Sequence, residues 1–110
     1  MIALNPNDGN LVDSYGETLM VLGDYKNAIT KFEKAINIEP HGWFAFQTYL
    51  KMGTCYEKLS NLDKAEENYL EGQKLTEKMH PLKRDRYIYK ASEKLEGLKK
   101  LKEELKIKKK

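Results

Sequence analysis

The sequence is poor in the residues from which small chemical sites are built. Among 110 residues there is one cysteine, Cys55, and there are two histidines, His41 and His80. A lone thiol cannot close an internal disulfide, and these three residues share no metal-ligand spacing. Cys55 therefore reads as a helix-packing residue of a chain kept in a reducing compartment. No apolar run is long enough to cross a membrane, and the N-terminus has no basic stretch followed by an apolar one, so a cytoplasmic location is expected. No Ser-His-Asp or Cys-His set, glycine-rich phosphate loop or metal motif occurs, so no catalytic residue, cofactor, metal or small-molecule substrate is expected.

What is present points to helices. With 40% hydrophobic and 34% charged residues the chain has the make-up of one helix-rich domain. Its net charge of +3 hides an asymmetry. Residues 1–81 hold eight lysines against twelve acids, a balance of −4, and residues 82–110 hold twelve basic residues against five acids, a balance of +7.

The chain also resembles itself. Shifted by 34 positions, Ile2, Leu4 and Pro6 fall on Ile36, Ile38 and Pro40; shifted by 37, Gly16, Ala28, Phe32 and Ala35 fall on Gly53, Ala65, Tyr69 and Gly72. Two registers near 34 indicate helical-hairpin repeats with a three-residue insertion. Apolar spacing supports this independently. Val12, Tyr15, Gly16, Leu19 and Leu22 recur at three and four spacing until Gly23-Asp24 breaks the run. Tyr25, Ala28, Ile29, Phe32, Ala35 and Ile36 form the next stripe, ended by Pro40 and Gly42. Phe46, Tyr49, Leu50, Gly53 and Tyr56 make a third, Ser60-Asn61 a turn, and Leu62, Ala65, Tyr69, Gly72 and Met79 a fourth. Ser60 with Asp63 has the spacing of a capping box. Pro81 opens a last helix in which Tyr87, Ile88, Ala91, Leu95, Leu98 and Leu105 share one face.

With the small residues Gly16 and Gly53, the Gly23-Asp24-Tyr25 turn and the series Ala28, Phe32, Ala35 and Pro40, residues 2–79 resemble the tetratricopeptide repeat family. Gly72, where a second alanine is usual, and Glu77, where a closing proline is usual, depart from its pattern. The resemblance implies an all-α solenoid of two antiparallel hairpins plus a C-terminal capping helix. The expected division is a remnant of a preceding repeat at 1–8, hairpins at 9–42 and 43–80, a capping helix at 81–105 and a basic tail at 106–110, with little for the helix to pack against beyond Leu101. Gly16 and Gly53 are expected where two helices approach closely, and Phe32 and Tyr69 between neighbouring hairpins.

Function in this family implies an inner groove lined by the first helix of each hairpin and holding a protein or peptide partner. Carried over by offset, the groove would present Asn10, Asp13, Glu17 and Met20 from the first hairpin, and Gln47, Leu50, Thr54, Glu57 and Lys58 from the second. Some members grip acidic C-terminal tails with Lys and Asn. Here Asp13 and Glu17 take those places and repel a carboxylate, so a basic or neutral segment is favoured. The alternative is that these residues form the solvated face of a spacer.

Other surfaces offer further readings. Trp43, Phe44, Phe46 and Tyr49 fall at the insertion; with the helix extended backward they either wedge between hairpins or leave Trp43 and Phe46 as an exposed aromatic anchor. Residues 99–110 carry seven lysines and two glutamates. They could meet nucleic acid or anionic lipid, but the lysines alternate with glutamates and no nucleic-acid motif accompanies them, so a solvated tail is favoured. Two repeats fall short of the three a stable stack normally needs, so an exposed apolar flank on the first hairpin could pair two copies into a homodimer. Met1 aligns with Ala35 in the 34-residue register. The opening thus reads as the closing turn of a hairpin in a longer array, with a short packed lead-in as the alternative.

Overall fold

The computed structural model describes residues 8–108, and these are helical with no strand among them. The helices are α1 (Gly9–Val21), α2 (Tyr25–Ile38), α3 (Ala45–Lys58), α4 (Leu62–Leu75) and α5 (Pro81–Lys108), with one 3-10 turn, Thr76–Lys78, between the last two. α1 packs on α2 and α3 on α4 as two hairpins, while α2 meets α3 and α4 meets α5, giving the expected all-α stack. Of the remnant expected at 1–8 only Asp8 lies within the described residues. It caps α1, accepting from the backbone N–H groups of Asn10 at 3.0 Å and Leu11 at 3.3 Å.

The turns inside the two hairpins share one design. Gly23 has φ +86 and Ser60, the residue 37 positions on, φ +64. After each comes a capping side chain: Asp24 accepts from the Asn27 N–H at 3.4 Å, and Asn61 from the Lys64 N–H at 3.3 Å. The capping box expected from Ser60 and Asp63 is therefore replaced by Asn61. A residue in the left-handed region cannot take the extended backbone a helix cap needs, and Ser60 already occupies that region.

Close approach explains two glycines. A Cβ on Gly16 would sit 2.8 Å from the Phe32 ring, and one on Gly53 closer still to the Tyr69 ring. Both rings are fully buried. Phe32 packs with Ala28, Ile29, Met52 and Cys55 in a cluster that joins the first hairpin to the second. Tyr69 lies in a second cluster with Phe46, Leu50, Ala65, Ala91 and Leu98, which joins α3 and α4 to α5. The rings thus fill the space between neighbouring elements, at about 25 cal/mol for each Å² of apolar surface removed from water.

The end of the stack departs from expectation twice. Met79 follows α4 rather than belonging to it, because the chain tightens into the 3-10 turn; it nonetheless packs on the second cluster. α5 also continues to Lys108, past the expected end at 105. Its buried contacts are Ala91 and Leu98, with Tyr87 and Leu95 half-buried, whereas Leu105 is exposed. Beyond Leu101 the helix still has a hold on its neighbour. Lys102 reaches back to Glu66 at 2.8 Å and Asp63 at 3.3 Å on α4, and these bonds raise its pKa above the ordinary lysine value.

Candidate functional site

One face of the molecule is built from α1, α3 and α5, with α3 touching both of the others. Two groups of polar contacts lie on it, one between α1 and α3 and one between α3, α4 and α5. Lys51 on α3 bridges to Asp13 at 2.9 Å and Glu17 at 3.2 Å on α1. The Thr48 hydroxyl donates to Asp13 at 2.6 Å. Further along α3, the Tyr69 hydroxyl donates to Glu57 and lies 3.3 Å from the Thr54 hydroxyl, to which Lys94 of α5 also donates at 3.3 Å. Among the described residues no buried side-chain polar atom lacks a partner. The buried members of the two groups, Asp13, Thr48 and Tyr69, therefore have their polar atoms partnered within the protein.

The residues expected to line a groove divide into three kinds. Glu17, Gln47 and Lys58 are exposed; Asn10, Met20, Thr54 and Glu57 are half-buried. Asp13 is 4% exposed and committed to Thr48 and Lys51, so it braces the two hairpins and is not a free carboxylate. Leu50 is buried in the second cluster and offers no groove surface, because its position on α3 turns it toward α4 and α5. The acidity expected of the first hairpin is likewise reduced. Lys51 neutralises one of the two charges, leaving a net −1 on the Asp13–Glu17–Lys51 triad.

Sequence reasoning missed Lys51, Thr48 and Lys94. For Lys51 the signal was slight: it stands 34 residues after Glu17, one helical turn before the repeat-equivalent position Thr54, with the opposite charge. Thr48 and Lys94 carried no such mark, since threonine on a helix and lysine on a basic one have no distinguishing pattern.

The aromatic group at the insertion is split. α3 begins at Ala45, so Trp43 is not on a helix; two successive turns, Gly42 N–H to Glu39 C=O and Ala45 N–H to Gly42 C=O, hold residues 39–45. Phe44 and Phe46 are buried, whereas Trp43 is 82% exposed. The expected anchor of Trp43 and Phe46 is thus corrected: Phe46 belongs to the core, and Trp43 alone faces outward. Trp43 overlooks a cleft of about 420 Å³ between the α2–α3 loop, the 3-10 turn and the start of α5.

Two titratable groups in the interior, Tyr69 and Cys55, are held protonated. Burial, reinforced by the bond to Glu57, raises the Tyr69 hydroxyl well above the usual tyrosine range, and burial pushes the Cys55 thiol up to about 11. Cys55 is fully buried, and at neutral pH it is a thiol and not a nucleophilic thiolate. Among the described residues no group of three or more His, Cys, Asp or Glu is placed to hold a metal ion, and no helix is long and apolar enough to cross a membrane.

Comparison with known proteins agrees with this geometry. A profile of the tetratricopeptide repeat matches residues 14–41 and 46–79. The first match covers most of α1 with α2, and the second covers α3 with α4 and the 3-10 turn. No curated protein matches the sequence. Among solved structures, PcrH, crystallised in complex with the chaperone binding region of PopD, shares the fold with a TM-score of 0.77. The alignment covers 90% of this chain and 71% of that chain at 19% sequence identity. Matched over more than half its length by the repeat profile, the chain belongs to the tetratricopeptide repeat family of protein-interaction modules.

Proposed function

We propose that the chain is a non-catalytic interaction module that holds a segment of a partner protein along the face made by α1, α3 and α5. The observation that carries this reading is the pair of polar groups that tie α3 to its neighbours, Glu17 with Lys51 and Lys94 with Thr54, each partnered within the protein and each with an exposed member. Preorganised side chains spare a ligand the cost of fixing them. A fold shared with a protein crystallised on a region of PopD supports a protein segment as the occupant. The net negative charge at the α1 end favours a basic or neutral segment and disfavours an acidic C-terminal tail. A peptide array of basic, neutral and acidic tails tests this. Basic or neutral peptides are expected to bind and to weaken about tenfold in Glu17→Lys; binding of those peptides that is unchanged in Glu17→Lys would refute the reading.

A second reading rests on the outer flank of α1. Leu22, the residue that closes α1, is 75% exposed, and Tyr15, seven residues before it on α1, is 52% exposed. An apolar flank of this kind suits self-association into a homodimer. Sedimentation at several concentrations tests it: a dimer lost in Leu22→Asp supports it, and a strict monomer at the highest concentration excludes it.

A further inference from the structure

The cleft beneath Trp43 lies at the start of α3 and α5, where the α2–α3 loop meets the 3-10 turn; of the residues expected to line the groove it includes only Gln47, and its chemistry is one-sided. The floor is apolar: Phe46 and Met79 belong to the second cluster, and Tyr87 stands edge-on to Phe46 with ring centroids 4.8 Å apart. At the rim the Trp43 indole is exposed yet held, in an edge-to-face contact with the buried Phe44 at 5.9 Å. Lys78 and Lys83 are both exposed and stand among the lining residues, whereas no carboxylate does. A volume of about 420 Å³ lies within the range of roughly 300–1,000 Å³ that receives small ligands and single side chains, and is too small for a folded domain.

We propose that this cleft docks a short segment of a partner protein in which large apolar side chains are flanked by acidic residues. The apolar group enters between Trp43 and Tyr87 and covers the Phe46–Met79 floor; the flanking carboxylates meet Lys78 and Lys83. Exposed tryptophan is the residue type most often found to carry binding energy at such anchors. Two cations with no opposing carboxylate in the wall favour an acidic ligand and reject a basic one. The cleft thus selects the charge opposite to that favoured at the α1 end of the other face, so the two surfaces take different ligands.

Trp43 is the only tryptophan, so its emission reports on the cleft directly. The probe is a panel of capped heptapeptides with Leu-Leu, Leu-Phe or Ile-Met at the centre and Asp or Glu on both sides. A twin panel carries Lys at every acidic position. Titrated into the full chain, at least one acidic peptide is expected to give a saturable blue shift below about 1 mM, with its lysine twin at least tenfold weaker. In the double variant Lys78→Glu, Lys83→Glu that order is expected to reverse. Both positions are exposed, so an unchanged melting curve shows that the fold is intact. Absence of any saturable shift, or equal response to the two panels, would overturn the proposal. So would a blue shift that grows with protein concentration alone, since a second copy would then fill the cleft.

Discussion

In the first hairpin Phe32 lies over Gly16, and Met20 packs against the same cluster; in the second Tyr69 lies over Gly53 and donates a hydrogen bond to Glu57. Every pair is separated by 37 residues: Gly16 and Gly53, Phe32 and Tyr69, Met20 and Glu57, Glu17 and Thr54. The hairpins therefore repeat the backbone and the ring while changing together the residues around it. Where the ring carries a hydroxyl, an acceptor stands opposite. Where it does not, the matching position is apolar. A buried hydroxyl without a partner costs about 1 to 3 kcal/mol, so the two changes are coupled. The lesson is that one steric plan tolerates two chemistries, provided each is complete.

The rings themselves should be equivalent. Phe32→Ala and Tyr69→Ala are each expected to cost about 3 to 5 kcal/mol in urea unfolding, the usual loss for a buried aromatic. A loss at one position with little at the other would break the equivalence of the hairpins.

Alkaline pH should separate them. Cys55, Tyr69, Tyr49 and Tyr56 all lie on the second hairpin, and burial raises the pKa of each. The folded state therefore holds protons that the unfolded chain releases, and stability present below the unfolded pKa is lost as pH rises toward the folded one. For Cys55 alone, rising from 9.0 to about 11, the loss between those values is about 2 kcal/mol. Urea midpoints from pH 8 to 11 should fall, and the fall should shrink in Cys55→Ala. Stability that held constant to pH 11 would contradict the burial of these groups.

The hydroxyl bond is the sharper contrast. Tyr69→Phe should cost about 1 to 2 kcal/mol, because Glu57 and Thr54 lose their partner. Phe32→Tyr should also destabilise, since Met20 offers no comparable acceptor. A double variant Tyr69→Phe, Glu57→Met, which copies the first hairpin into the second, should recover part of the loss; thermal melts of the three variants measure it.

The smallest effect lies in the turns. Ser60 holds a left-handed backbone that Gly23 adopts without strain. Ser60→Gly is expected to stabilise by about 0.5 to 1 kcal/mol and Gly23→Ser to destabilise by a similar amount. Equal behaviour at the two turns would show that Asp24 and Asn61, not the preceding residue, set their geometry.

Much of this architecture was legible in the residues because it depends on steric rules that recur at fixed offsets. The glycines under the rings, the turns and the order of helices all follow from the 37-residue register. The site was less legible, for reasons that differ from residue to residue. Asp13 reads as a free acid on a helix face until Lys51 and Thr48, from the next repeat, close on it. Leu50 reads as groove-lining until α5 is seen to complete the core on its other side. Trp43 depends on where α3 begins, and that is decided by two turns closing at Gly42 and Ala45, which apolar periodicity does not register. The reach of α5 past Leu101 depends on Lys102 finding Asp63 and Glu66, a pairing hidden among the other lysines.

Two layers of helix make a plate: the molecule measures 55 by 35 by 18 Å. A compact monomer of 12.8 kDa exposes about 6,300 Å² by the usual scaling with mass, whereas this chain exposes 7773 Å². The surplus, about 1,500 Å², is close to twice the roughly 800 Å² that one partner contributes to an ordinary protein interface. Thinness thus leaves the chain with far more surface than its mass requires, enough for two ordinary partners where a compact domain of this size would spare little.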